Sequence, residues 1–96
     1  MSKFNNIPEE KDTQTIFRGE LKFGDLDILY EKWKRWGILA ESIIFDEDDV
    51  SEMDDDEIIN KVKDSPIFDD KLQKNNPTIR HNNGFVFVNF NFFIEG

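Results

Sequence analysis

Apolar positions along this chain repeat in three ways, and each predicts a different element. From Thr15 to Phe23 they alternate: Phe17, Leu21 and Phe23 share one side with Gly19, while Arg18, Glu20 and Lys22 take the other. That period of two predicts a half-buried strand, with Gly19 marking a bulge or a close approach. From Leu26 the spacing changes. Leu26, Leu29, Tyr30, Trp33 and Trp36 recur as one helical stripe, with Asp25 placed as N-cap and Gly37 as the residue that ends the helix. Asp27 near its start, Lys32, Lys34 and Arg35 near its end, and a Glu31–Arg35 pair four residues apart all suit a helix over about 25–36.

Ser42 to Phe45 predicts a short strand. A second helix is expected at about Glu52 to Lys63. Ser51 with Asp54, or Asp54 with Glu57, has capping-box spacing there, and Ile58, Ile59 and Val62 form the apolar face. Ser65 to Pro77 reads as a loop anchored by Ile67, Phe68 and Leu72. Thr78 to Ile94 reads as a hairpin turning at Asn83-Gly84. Its second arm sets Val86, Val88, Phe90, Phe92 and Ile94 on one face, and Phe85, Phe87, Asn89, Asn91 and Phe93 on the other. Both faces therefore need cover, and the strand is expected at the centre of the sheet.

The expected architecture is a single compact α+β domain over 14–96. It has about four strands in a mixed sheet ending in a C-terminal β-hairpin, and two helices, in the order β-α-β-α-β-β. Strand, helix and strand in succession suggest a right-handed crossover and a parallel pair, with a helix beside an antiparallel sheet as the alternative. Residues 1–13 form a loose arm, from which Phe4 or Ile7 can reach the body.

Composition adjusts this picture in three respects. Ten Phe, two Trp and one Tyr supply enough bulk for a core in 96 residues. The absence of Cys removes disulfides, thiolate nucleophiles and thiolate metal sites. The N-terminus MSKFNNIPEEKDTQ has neither a signal-like apolar run nor a membrane span, so a cytoplasmic protein without a membrane partner is expected.

Charge changes the picture most. Nine of the twelve residues from Asp46 to Glu57, DEDDVSEMDDDE, are Asp or Glu, and none is Lys or Arg. Elsewhere acids and bases cancel, so the formal charge of −9 belongs to this segment. Such crowding is repulsive and contributes nothing to a core. It also disfavours direct contact with nucleic acid and favours a basic partner, a class rich in nucleases and nucleic-acid-binding complexes.

Three chemistries could use these residues. As a calcium loop, Asp46, Asp48, Asp54 and Glu57 fall at positions 1, 3, 9 and 12, but Val50 and Ser51 occupy positions that need an oxygen ligand and a glycine. As a phosphate mimic, carboxylates three and four apart on a helix lie about 5–6 Å from one another, a row that a basic cleft would attract. As a solvated acidic face they would bind nothing. GELKFG has P-loop glycine spacing, but Asp25 stands where the phosphate-binding Lys belongs. His81, the one histidine, makes neither a metal site nor a triad and reads as a surface residue.

No nucleophile–base arrangement is visible, so no enzyme and no cofactor are expected. The functional expectation is a small acidic inhibitor or antidote that blocks a basic nucleic-acid-acting protein. Immunity proteins against toxin nucleases and phage inhibitors of restriction or CRISPR complexes share that size and charge. Asp46, Glu47, Asp48, Asp49, Glu52, Asp54, Asp55, Asp56 and Glu57 would carry the electrostatics, with Trp36 as an apolar anchor. The alternatives are a calcium-responsive module and an oligomerisation domain joined through an edge of the C-terminal sheet.

Overall fold

The computed structural model describes residue 4, residues 14–65 and residues 77–93. The expected anchors Ile7, Ile67, Phe68 and Leu72 and the end of the last strand at Ile94 lie outside the described residues.

Strand β1 (Gln14–Phe23) runs as its alternation predicts. It does not lead into a helix. Leu26–Arg35 forms β2, antiparallel to β1, with Phe23 opposite Leu26, so Gly24-Asp25 is a two-residue hairpin turn. Gly24 has φ +64° at the first turn position, where only glycine is unstrained. The expected helix over 25–36 is therefore corrected to a strand. Its apolar residues do not share a stripe: Leu26, Ile28 and Tyr30 pack on one face of the sheet and Leu29 on the other. Glu31 pairs with Arg18 on β1 at 3.3 Å. Tertiary pairing outweighs a local helical pattern because β1 on one side and a strongly apolar strand on the other offer complete ladders.

That apolar strand is β3 (Ile38–Asp46), longer than the expected Ser42–Phe45 and antiparallel to β2. Arg35 stands opposite Ile38, so Trp36-Gly37 is also a two-residue turn, with φ +49° and +75°. Two successive positive φ values make it type I′, the form that matches strand twist. Gly37 does end the element before it, as expected, but that element is a strand.

A 3-10 turn at Glu47–Val50 and the helix α1 (Asp55–Lys63) follow. Then β4 (Thr78–Asn82) and β5 (Phe85–Phe93) form the expected hairpin. Asn83 and Gly84 have φ +52° and +85°, again type I′. The sheet has five strands in the order β1-β2-β3-β5-β4, every pair antiparallel. The element order is thus β-β-β-α-β-β, with one α-helix among the described residues. The expected mixed sheet and parallel pair are replaced by an all-antiparallel sheet within a single compact domain. β5 is interior, as its two-sided apolar pattern demands, but the middle strand is β3.

One sheet face, made of Phe23, Ile28, Ile43, Phe45, Val86, Val88 and Phe90, is closed at one end by Ile58 and Val62 of α1 and by Val50. On the opposite face, among the described residues, the core is Phe4, Leu29 and Ile44 with Phe85 and Phe87 packed against them. Phe4 is 2% exposed, its ring 5.8 Å from that of Phe85. Gly19 marks a close approach: an added Cβ would lie 2.9 Å from Cζ of Phe17, whose ring packs on Tyr30. The bulge falls nearby, between Thr15 and Phe17. Among the described residues no helix is long and apolar enough to cross a membrane.

Candidate functional site

The acidic segment caps one end of the sheet, and three apolar side chains determine which way it faces. Val50 is buried in the core, Met53 packs against that core, and Ile58 of α1 is buried within it. With these turned inward, the carboxylates between them must turn outward. Eight of them, Glu47, Asp48, Asp49, Glu52, Asp54, Asp55, Asp56 and Glu57, are exposed, and Asp46 is half-buried.

Two aspartates shape the backbone. Asp46 caps the 3-10 turn by accepting from the Asp48 N–H at 3.0 Å, and Asp54 caps α1 by accepting from the Glu57 N–H at 2.9 Å. This second contact realises the expected Asp54–Glu57 spacing, and α1 starts at Asp55, inside the expected Glu52–Lys63 span. Asp55, Asp56 and Glu57 occupy the first turn, where the positive end of the helix dipole favours them, and Lys61 and Lys63 occupy the last. Two ties fix the segment to the β4–β5 hairpin. The Glu47 N–H donates to the Gly84 carbonyl at 2.9 Å, and His81 Nε2 lies 2.9 Å from Asp55 Oδ1. His81 is exposed, as expected, but it is positioned on the acidic end rather than isolated from it.

The calcium-loop pattern gains no support from this geometry. Val50, at the fifth loop position, is in the core, and the Asp46 and Asp54 carboxylates are turned onto their own backbone. Among the described residues no group of three or more His, Asp, Glu or Cys side chains is arranged to hold a metal ion.

Trp36 is not brought to this surface. It stands at the tip of the β2–β3 turn, at the other end of β3, whose nine residues span roughly 26 Å at about 3.3 Å per step. It is 82% exposed, with the Arg35 guanidinium 4.3 Å over its ring. Lys32, Lys34 and Arg35 lie along the same arm of that hairpin, so charge is distributed unevenly between the two ends of the sheet.

A buried polar cluster escaped the sequence reading. Glu41 on β3 is 2% exposed, accepts a hydrogen bond from the Tyr30 hydroxyl, and lies 4.0 Å from Lys32 Nζ. Its one sequence signal is a carboxylate inside the otherwise apolar run ILAESIIF. On the opposite face Ser42 donates to Asn89 Oδ1 at 2.5 Å across the β3–β5 pair.

No family model, curated protein or solved structure matches this chain.

Proposed function

We propose that this chain is a binding protein whose acidic end docks on a basic protein that acts on nucleic acid and blocks the surface that would hold phosphates. The observation that carries this reading is the inward turn of Val50, Met53 and Ile58. It converts a run of acids into a fixed outward array on two short helical turns. A cleft lined by Lys and Arg meets that array as it meets a phosphate backbone, and charge complementarity of this kind speeds encounter and selects the partner. The caps on Asp46 and Asp54 and the tie from Glu47 to Gly84 hold the array before binding, which lowers the ordering cost.

The test compares the native chain with a variant carrying Asp48→Asn, Asp49→Asn, Asp55→Asn and Asp56→Asn, which leaves both capping aspartates in place. Each is immobilised, exposed to host lysate and washed at low and at high salt. Retention of one basic nucleic-acid-acting protein by the native chain alone, with its activity inhibited by the native chain and not by the variant, supports the reading. A scatter of ribosomal proteins, all lost at moderate salt, rejects it.

A further inference from the structure

We propose that two copies of this chain associate through β1, pairing antiparallel to join their sheets, with Gly19 of one copy opposite Gly19 of the other. Among the described residues β1 is an edge of the sheet, and it is ten residues long. Two of the three large apolar side chains exposed among the described residues lie on it: Ile16, 52% exposed, and Phe17, 44%. Exposed edges of this kind are templates for another strand unless something blocks them.

The charge pattern selects the occupant. With Gly19 at the centre, Arg18 of each copy faces Glu20 of the second copy, and Phe17 faces Leu21. Both members of each pair belong to one face, since Phe17, Gly19 and Leu21 alternate with Arg18 and Glu20. Opposite charges directly across an antiparallel pair are favourable and like charges are not. Moving the centre to Arg18 or to Glu20 sets a residue opposite its own charge, so the sequence singles out the Gly19 register over these neighbours. Arg18 already pairs with Glu31 on β2 at 3.3 Å. Its five N–H donors can serve a second carboxylate, extending a Glu–Arg–Glu ladder across the seam. Gly19 presents no side chain where the strands cross, and the ladder is regular from Phe17 onward because the bulge precedes it.

The other edge has the opposite character. β4 has five residues, follows Pro77 and carries Arg80 at its middle, which would face its own copy in the centred register. Pairing through β1 also sets the two acidic ends at opposite ends of the joined sheet, because the strands run antiparallel. The segments of charge are then kept apart, and the dimer offers two partner sites. This inference is independent of the proposed function and can fail without it.

The test is sedimentation equilibrium on the full chain from micromolar to millimolar concentration at physiological salt. It compares the native chain, Glu20→Arg, Arg18→Glu and an equal mixture of the two variants. The native chain is expected to dimerise, and each variant alone to do so about tenfold more weakly or worse, since like charges then stand opposite. The mixture is expected to recover a heterodimer, because the two arginines of one variant then face the two glutamates of the other. Amide exchange gives a second readout for which only the native chain need fold: protection across 17–21 should rise with concentration. A native chain that stays monomeric at millimolar concentration overturns the proposal. So does a dimer indifferent to Glu20→Arg, or one that protects β4 rather than β1.

Discussion

At the scale of single residues, two positions separate local geometry from binding. Asp54 is exposed, yet its carboxylate satisfies the Glu57 N–H that would otherwise be left open at the start of α1. Asp54→Ala should therefore cost about 1 kcal/mol of stability, whereas Asp54→Asn, which keeps the acceptor, should be nearly neutral. Urea denaturation of both variants checks this, and equal losses would show that the charge, not the cap, matters. Trp36 presents the reverse case. A bulky residue at φ +49° is strained, and asparagine is preferred before glycine in a type I′ turn. The strain, about 1–2 kcal/mol, exceeds the about 0.5–1 kcal/mol that an exposed cation–π contact with Arg35 returns. Trp36→Asn should therefore raise stability by about 0.5 kcal/mol. Because Trp36 lies at the far end of β3 from the carboxylates, the same variant should leave the proposed binding through the acidic end intact.

At the scale of elements, the legible parts were those with one consistent signal. The alternation of β1, the Asn83-Gly84 turn, the cap and apolar face of α1 and the burial of Phe4 could all be read from residue types. β2 could not, because LDILYEKWKR satisfies two periods at once. Its apolar residues fit a helical stripe, and they also fit a strand with both faces partly covered. Gly24 and Gly37 deepened the ambiguity, since a glycine at either end of a patterned segment reads equally as a helix boundary and as a hairpin turn. A twelve-residue segment bounded by Gly24 and Gly37 and lying between two strand-like runs was the signal for a meander. For the acidic end, the outward turn of the carboxylates was legible, but not that Trp36 lies away from them, because that depended on β2.

Among the described residues, the pairing of β2 with β3 buries a carboxylate, Glu41, whose contribution can be tested directly. Tyr30 and Glu41 are diagonal neighbours across the two strands. Tyr30→Phe should destabilise by about 2 kcal/mol, because a buried carboxylate loses a hydroxyl donor. Adding Glu41→Leu should recover most of that loss, since removing both partners is far less costly than orphaning one. Thermal denaturation of both single variants and the double variant closes the cycle, and additive losses would mean the two groups do not depend on each other.

At the scale of the whole molecule, the charge of −9 sits in twelve consecutive residues at one end of the sheet. Repulsion among these carboxylates opposes the compact state, while the caps, the helix dipole and the His81–Asp55 contact favour it. The carboxylates of α1, Asp55, Asp56 and Glu57, are neighbours in sequence rather than three or four apart, and like charges about 5 Å or more from one another repel by less than about 1 kcal/mol per pair in water. Several such pairs together outweigh the roughly 0.3–1 kcal/mol from each favourable end charge. Because the acids are neighbours in sequence, the unfolded chain keeps much of this repulsion, and only the difference bears on stability. That difference should amount to about 1 kcal/mol, or about 4–8 °C in Tm for a domain of this size. Raising NaCl from low to physiological concentration should therefore raise Tm by several degrees as the Debye length shrinks to about 8 Å. The variant with Asp48, Asp49, Asp55 and Asp56 changed to Asn should begin at a higher Tm and respond less to salt. Calorimetry at constant protein concentration separates this from dimerisation, which would make Tm depend on concentration. A native Tm that falls with salt would mean that the local attractions hold the acidic end in place, and that the array is stabilised by its own caps more than it is strained by its charge.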